Sequence, residues 1–276
     1  MRVTERGERP AWAGPEIDVD RPSAARVYDV HLGGSHNFQV DRDAAAQITA
    51  AMPELPDILR ANRSFLRRAV RYLVGQGVTQ FLDLGSGIPT VGNVHEIAWQ
   101  IDPDCRIVYV DIDPIAVAHS NAILQGAFNA NAVLGDLRDP DRILADVKDL
   151  LDFSRPIAVL MVAVLHFIPD SDDPKGVIRR YLDAVPEGSY LAISHASLDG
   201  SAPERAEAAT ERFRNRVTDF SMRTRAEITA LFDDVELVDP GVVYLTEWRP
   251  DEGDDIGDPK RMSQFAGLGR KKQAGN

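Results

Sequence analysis

The sequence predicts an α/β fold in which helices cover both faces of a mostly parallel β-sheet. Five apolar runs alternate with segments whose apolar residues recur at helical spacing. Near-continuous apolar strands separated by helices are typical of parallel sheets that are buried on both faces. The predicted strands lie at residues 79–84, 106–111, 132–134, 156–167 and 190–194.

The pattern changes after the fifth predicted strand. Residues 202–216 are expected to form a charged helix, and Thr224 with Glu227 has the form of a capping box that opens another helix. Residues 235–238 and 242–248 flank a Pro-Gly turn and predict a closing β-hairpin, so one strand there runs antiparallel. The hairpin brings the predicted sheet to seven strands.

The domain boundaries follow from changes in composition along the chain. Residues 1–21 are polar and lack periodicity, which predicts a flexible arm. A helical segment over 22–77 precedes the core of 78–249, and together they form a single domain over 22–249. Helices are expected over 23–32, from Asp41 to Met52, and from Asp57 to Gly75. Residues 250–276 are rich in Gly and Asp and are expected to form a loosely ordered polar tail.

Composition and charge argue against several classes of protein. The net charge is −12 and the first basic cluster is Arg270–Lys272, whereas nucleic-acid binders concentrate positive charge on one face. The single cysteine, Cys105, excludes an internal disulfide and a multi-cysteine zinc site, and no other residues have metal-ligand spacing. No signal peptide or membrane-length apolar run is present, so we expect a cytoplasmic protein. The excess of arginine over lysine fits a GC-rich bacterial genome.

Three acids follow consecutive predicted strands, at the edge where open α/β sheets bind ligands. Asp83 precedes a glycine loop, Asp111 ends the second strand and Asp136 follows the third. Glycines let the backbone approach a ligand closely, and strand-end carboxylates can accept hydrogen bonds from ribose hydroxyls or an adenine amine. Single strand-end acids usually cap helices or face solvent, but three in order favour a nucleoside site.

An NAD-dependent dehydrogenase is one alternative for such a site. The dinucleotide fingerprint needs a third glycine, and Thr90 stands at that position. The Gly135–Leu137 sequence after the third strand also argues against a dinucleotide site.

The glycine loop and strand-end acids resemble motifs one to three of class I S-adenosylmethionine-dependent methyltransferases, whose seven-stranded Rossmann-like sheet ends in an antiparallel hairpin. The match is closer to the S-adenosyl methyltransferase family that was formerly catalogued as a domain of unknown function. It extends over about residues 22–248 and implies S-adenosylmethionine as cofactor and S-adenosylhomocysteine as product. The motifs that carry it are residues 25–38, 41–43, 61–63, 81–90 and 109–114.

The resemblance implies a set of cofactor contacts, motif by motif. The methionine and ribose side is implied to be lined by Asp83, Gly85, Ser86 and Gly87, the ribose and adenine to be held by Asp111, Ile112 and Asp113, and the adenine edge by Asp136 and Leu137. In class I enzymes the chain before the first strand often covers the cofactor. The expected lid residues are Tyr28, Gly33, Gly34, Asn37 and Arg63; a helix–turn–helix packing element is the alternative for this segment.

Catalysis requires little dedicated chemistry, because methyl transfer depends mainly on proximity and orientation. A general base is needed only where the acceptor must lose a proton. His166 and His195 end the fourth and fifth predicted strands and are the candidate bases, although a lone histidine is more often structural. The Asn-Pro-Pro-Tyr type of motif is missing after strand four, which argues against DNA N-methylation.

The sequence therefore predicts a methyltransferase with a small-molecule acceptor, no metal and no membrane partner. The acceptor itself and the oligomeric state are left open. The role of residues 196–223 is also left open, although contacts with the acceptor are expected within 202–222. The second hypothesis is a regulatory or sensor protein that binds S-adenosylmethionine or S-adenosylhomocysteine without catalysis. An NAD-dependent dehydrogenase is the less favoured alternative.

Overall fold

The computed structural model describes residues 18–88, 92–197, 199, 220–254 and 256–272, and within them eight strands form one sheet. The strands are β1 (Gln80–Leu84), β2 (Arg106–Asp111), β3 (Ala130–Leu134), β4 (Ala158–Val162), β5 (Tyr190–Ala196), β6 (Val235–Leu237), β7 (Val243–Tyr244) and β8 (Gln264–Lys271). The strand order is β3-β2-β1-β4-β5-β8-β6, with β7 also paired to β8. Strands β1 to β5 run parallel, and β8 runs antiparallel to β5, β6 and β7.

Helices cover both faces of this sheet, as predicted. The helices are α1 (Ala24–His31), α2 (Gln39–Ala51), α3 (Leu55–Gly75), α4 (Val94–Trp99), α5 (Pro114–Ile123), α6 (Pro140–Val147), α7 (Pro174–Ala184) and α8 (Arg225–Thr229). Strand β1 shows how its residues alternate between the two faces: Phe81 packs in a cluster with residues of α3 and α4, and Leu82 packs in another with residues of α6, α7 and α8. The α/β fold class is thus confirmed, with eight strands in place of seven.

The prediction of a loose polar tail after residue 249 was wrong. Strand β8 lies in the interior of the sheet between β5 and β6, and its Phe265 and Leu268 are buried. Its glycines had suggested a loop, but they make room for large neighbours. A Cβ on Gly269 would lie 2.2 Å from Val235 Cγ2, so a larger residue would push β6 away.

The predicted hairpin also differs from the structure. Strands β6 and β7 do not pair with each other; both pair with the same edge of β8. The start of β8, at Phe265 and Ala266, pairs with β7, whereas its end, over Gly269–Lys271, pairs with β6. Strands β6 and β7 therefore each pair with β8, which comes later in the chain, although their proximity in sequence had predicted that they pair with each other.

Strand β4 is shorter than its apolar run. The strand ends at Val162, Ala163 takes a left-handed φ of 57°, and Leu165–Phe167 form a 3₁₀ helix. The Ala163 N–H donates to Ser194 Oγ at 2.9 Å, which stabilises this turn. The apolar run thus leaves the sheet at its carboxyl edge and supplies side chains to the space above it.

Helix boundaries were predicted with mixed success. Helix α2 begins two residues before Asp41, whose buried carboxylate accepts the N–H of the N-cap residue Phe38 at 2.8 Å. The capping box of Thr224 and Glu227 is confirmed. The helix predicted over 202–216 lies outside the described residues. No helix in the described part of the chain is long and apolar enough to cross a membrane.

The N-terminal helices form a small apolar cluster of their own and are also attached to the sheet. Val27, Ile48 and Leu59 pack together between α1, α2 and the start of α3. Farther along α3, the buried Arg68 donates from Nε to the Trp248 carbonyl at 2.8 Å and from Nη2 to the Leu245 carbonyl at 2.6 Å. Helix α3 therefore connects the N-terminal helices to the last part of the core.

We expect a chain that ends at Ser263 to lose its cooperative thermal unfolding transition, because β5, β6 and β7 all lose their pairing with β8. Loss of the ladder and of buried Phe265 and Leu268 exceeds about 5 kcal/mol, which approaches the whole stability of a domain. The control chain ends at Lys272 and keeps all of β8. Calorimetric melting of both chains checks this, and a folded shorter chain would contradict the central position of β8.

Candidate functional site

A cavity of about 450 Å³ opens at the carboxyl edge of the parallel strands. Its floor comes from the turns after β1 to β5, and its roof from α1 and α3. The volume lies in the range of small-molecule and cofactor sites. Of the predicted site residues, it is lined by Tyr28, Arg63, Asp83, Gly85, Ser86, Gly87, Asp111, Ile112, Asp113, Asp136, Leu137 and His166.

The glycine loop after β1 is packed directly against the turn after β4. Gly85 has a φ of 73°, and a Cβ there would lie 2.2 Å from Val164 Cγ2. Gly87 has a φ of 68° but no atom within 4 Å of its Cβ position. The first glycine is therefore required by packing as well as by conformation, and the second by conformation alone.

Asp111 is held in place by backbone donors. Its Oδ2 accepts the Gly87 N–H at 2.7 Å and its Oδ1 accepts the Asp113 N–H at 2.8 Å. Burial raises the pKa of Asp111 to about 6, although these N–H donors stabilise the carboxylate. The end of β2 and the glycine loop are thus joined through one carboxylate.

Asp113 anchors the N-terminal segment. Its Oδ1 caps α5 by accepting the Ile115 N–H at 2.8 Å, and its Oδ2 accepts from Ser23 Oγ. Arg26 Nη1 lies 3.6 Å from the same carboxylate, and Arg26 Nε donates to buried Asp41 at 2.9 Å. Arg26 stood inside the N-terminal motif of residues 25–38 and Ser23 outside it, and neither carried a sequence signal of this role.

Asp83 and Arg63 form the charged centre of the cavity. Burial raises the pKa of Asp83 to about 7, the Arg63 guanidinium opposes this shift and Asp111 adds to it. Arg63 lies over the Tyr28 ring at 5.6 Å, and its buried Nε has no hydrogen-bond partner among the described residues. A buried, unpaired N–H beside a cavity is costly unless a ligand oxygen accepts from it.

The residues expected at the adenine edge lie at the other end of the cavity. Asp136 pairs with Arg138, at 2.9 Å between Oδ1 and Nε, and this pair lowers the pKa of Asp136. Arg138 was not predicted; it also lines the cavity and donates to Asp172 at 3.0 Å. Leu137 is buried, whereas Ile112 is 62% exposed and offers an apolar face.

Three of the expected lid residues are not on the cavity wall. Gly33 has a φ of 78° and the Gly34 N–H donates to the Asp29 carbonyl at 2.8 Å. Asn37 Nδ2 donates to the Asp29 carboxylate at 2.8 Å and to the Gly34 carbonyl at 3.0 Å. These residues stabilise the turn between α1 and α2. They therefore have the packing role that was the alternative to a cofactor lid for this segment. Of the five, only Tyr28 and Arg63 line the cavity.

His195 does not face the cavity as expected. It is fully buried, its Nδ1 lies 2.7 Å from the Ala196 carbonyl, and its Nε2 lies 2.6 Å from Arg223 Nη1. An arginine can only donate, so Nε2 accepts and Nδ1 carries the hydrogen. Burial lowers the pKa of His195 to about 4, and Arg223 adds to this effect. A neutral ring with both nitrogens engaged is not available as a general base.

His166 does line the cavity, and it is also neutral. Burial lowers its pKa well below the ordinary value, with contributions from His195 and Arg223. The Ala196 N–H makes a long contact of 3.5 Å with Nδ1, which leaves Nε2 as the nitrogen that carries the hydrogen. In this tautomer His166 is a hydrogen-bond donor at Nε2.

Two buried residues that the sequence did not single out hold this part of the wall. Arg223 donates to the Leu165 carbonyl at 3.0 Å and to the Ile168 carbonyl at 2.9 Å, so it fixes the turn after β4. Asn62 accepts from Ser194 Oγ at 2.6 Å and donates to the Tyr28 hydroxyl at 3.1 Å. Asn62 stood inside a recognised motif, whereas Arg223 had no signal because its carbonyl partners are distant in sequence.

The cavity fits S-adenosylmethionine. Glycines allow close approach, Asp111 presents a fixed carboxylate, Arg63 has an unpaired buried N–H, and Ile112 supplies an apolar surface. An open sheet whose last strands are antiparallel, with such a cavity at its strand ends, defines a class I S-adenosylmethionine-dependent methyltransferase. More narrowly, the chain belongs to the S-adenosyl methyltransferase family, whose model matches residues 10–272.

Solved structures agree with this assignment. A Thermobifida fusca protein assigned as a methyltransferase is 41% identical over 95% of this chain and 100% of its own, with a TM-score of 0.89. A DUF574 family protein from Streptomyces avermitilis is 37% identical over 92% of this chain and 99% of its own, with a TM-score of 0.87.

A more distant comparison supports the fold alone. Human N-acetylserotonin methyltransferase in complex with SAM is 17% identical over 92% of this chain and 63% of its own, with a TM-score of 0.51. No curated protein matches this sequence.

We expect Gly85→Ala to lower the free energy of unfolding by about 2–5 kcal/mol, because it combines a left-handed φ with overpacking against Val164. Gly87→Ala is the matched control and is expected to cost only about 1–2 kcal/mol, since its Cβ meets open space. Denaturant titration of both variants measures the difference. Equal losses would show that the contact with Val164 does not constrain this loop.

The affinity for S-adenosylmethionine should rise about tenfold from about pH 6 to about pH 8. Asp83 has a pKa of about 7 and holds a proton below it, whereas a positively charged ligand favours the carboxylate, so binding releases that proton. Calorimetry in buffers of different ionisation enthalpy measures the release. In Asp83→Asn, only the proton release that is due to Asp111 should remain, and it should occur at lower pH because the pKa of Asp111 is about 6. A pH profile of affinity that is unchanged in this variant would contradict the assignment of the released proton to Asp83.

Proposed function

We propose that this enzyme transfers the methyl group of S-adenosylmethionine to a small-molecule acceptor inside this cavity. The observation that carries the proposal is that Asp83, Asp111 and Asp136, from three separate strand ends, line one cavity together with the glycine loop. The net charge of −12 disfavours a nucleic-acid acceptor. An acceptor that enters this enclosed space has to be small.

The cofactor contacts are assigned by charge and position. Asp111 is proposed to accept from the ribose hydroxyls, and Ile112 and Leu137 to contact the adenine. Arg63, with its unpaired Nε, is proposed to donate to the cofactor carboxylate, and Asp83 to accept from its amino group. Opposite charges on the chain thus meet opposite charges on the amino-acid end of the cofactor.

The N-terminal helices are proposed to act as the cover of the site. Tyr28 and Arg63 line the cavity from α1 and α3, and the Ser23–Asp113 contact attaches this cover to the end of β2. The packing of α1 on α2 and α3 gives the cover a rigid framework. The cover excludes water, which strengthens the electrostatic contacts beneath it.

Bound S-adenosylmethionine supplies a methyl group on a positively charged sulfur. The chain itself orients the two reactants and excludes bulk water from them. His166 is proposed to donate from Nε2 to an acceptor atom, because the tautomer set by Ala196 makes it a donor. A proton lost from the acceptor then has to pass to water or to the acceptor's own basic group, since both histidine candidates are held neutral with depressed pKa values.

We expect Asp111→Ala to weaken binding of S-adenosylhomocysteine roughly 10- to 150-fold, the value of a charge-assisted hydrogen bond. Asp104→Ala removes the same charge from an exposed position near the start of β2 and serves as the control. Calorimetric titration measures both affinities, and melting confirms that each variant is folded. Unchanged affinity in Asp111→Ala would contradict the ribose assignment.

The transfer itself is tested with methyl-labelled S-adenosylmethionine and an extract of the source cells. We expect label to enter the low-molecular-mass fraction with wild-type enzyme and not with Asp111→Ala. Label in protein or nucleic acid would contradict a small-molecule acceptor. Cofactor binding without any transfer of the methyl label would favour the hypothesis of a non-catalytic sensor.

A further inference from the structure

The side chain of Gln264 carries a buried polar atom on the cavity wall that lacks a partner and does not belong to the proposed cofactor contacts. Gln264 begins β8, is 5% exposed and lines the cavity. Its side-chain oxygen Oε1 is buried and accepts no hydrogen bond from any described residue. Leaving such an oxygen unpaired costs about 1–3 kcal/mol, so the cavity presents an acceptor in need of a donor.

The position of Gln264 is fixed by its backbone. It pairs with Ala196 at the end of β5, and its carbonyl accepts the Leu245 N–H at 3.3 Å. Strand β5 is two places along the sheet from β1 and lies on the side away from β2 and β3. Gln264 therefore faces the part of the cavity beyond β4, away from Asp111 and Asp136.

Rings surround this part of the cavity. His166 lies 4.4 Å from Phe167 and 4.9 Å from Phe220, measured between ring centroids, and all three line the cavity. Met222 lines it too. Aromatic and thioether groups favour flat, apolar ligands, whose faces and edges pack against rings.

This end of the cavity carries no formal charge among its described lining residues. Phe167, Phe220, Met222 and Gln264 are uncharged, and burial keeps His166 neutral. The charged lining residues Arg63, Asp83, Asp111, Asp113, Asp136 and Arg138 belong to the proposed cofactor end or its anchors. The buried Arg223 behind this wall does not line the cavity and is paired with Asp170, so a charged acceptor would lose its hydration here without gaining a free counter-charge.

We propose that Gln264 is a specificity-determining residue that selects an uncharged aromatic acceptor bearing a hydroxyl group. Its Oε1 accepts the hydrogen bond of that hydroxyl while the ring packs against Phe167 and Phe220. This inference rests on the proposed function, because it places the acceptor beyond the cofactor in the same cavity. A ligand without a donor would leave Oε1 unpaired.

The test compares ligands that differ in a single hydroxyl, with enzyme saturated by S-adenosylhomocysteine. The probes are 2-naphthol, naphthalene and the anion 2-naphthoate, and binding is followed by fluorescence titration. Wild-type enzyme should bind 2-naphthol at least about tenfold more tightly than naphthalene, the value of one hydrogen bond to a buried group, and should reject 2-naphthoate.

Two variants assign the preference to Gln264. Gln264→Met keeps the length and volume of the side chain without its amide, and should bind both neutral probes equally. Met222→Leu changes the same wall without removing a polar group and should keep the preference for 2-naphthol. Melting and S-adenosylhomocysteine affinity show that each variant is folded; the comparison of probes on the wild-type enzyme stands without any variant.

The outcomes separate this inference from the proposed function. No binding of S-adenosylhomocysteine by folded wild-type enzyme would refute the proposed function itself. If that ligand binds, the inference is overturned by any of three results: no saturable binding of 2-naphthol, equal binding of 2-naphthol and naphthalene, or a preference that survives in Gln264→Met.

Discussion

The site depends on the close contact between Gly85 and Val164. The parallel strand order changes direction between β1 and β4, and at such a point the turns after the two strands diverge and leave a crevice. Val164 fills the space where a Cβ of residue 85 would lie, so the glycine loop and the turn after β4 pack as one unit. This unit fixes Asp83 relative to His166 and joins the proposed cofactor end of the cavity to its far end.

A second constraint turns the crevice into a cavity. Hydrogen bonds from Ser23 to Asp113 and from Ser194 to Asn62 attach the N-terminal helices at two points, one at the end of β2 and one at the end of β5. Arg26 and Asp41 are buried and paired with each other, so neither charge is left alone beneath the cover. The same helices thus act both as a packing element and as a wall of the site.

Burial also decides which groups carry charge. Arg223 fixes the tautomer of His195 and the turn after β4, and the two histidines stay neutral. The pKa of Asp83, by contrast, lies near neutral pH because burial raises it and Arg63 lowers it. The charged side chains therefore gather where the amino-acid end of the cofactor is proposed to bind, and the described lining residues beyond it are uncharged.

The sequence alone determined the alternation of strands and helices, the glycine loop and the strand-end acids, because each depends on residues that are neighbours in the chain. It did not reveal β8, whose glycines are explained only by the contact of Gly269 with Val235. It also could not distinguish His166 from His195, since their hydrogen-bond partners are set by the packing of β5 and Arg223. Only the tertiary structure placed Gln264 on the cavity wall, because strand pairing between distant segments decides which side chains share a space.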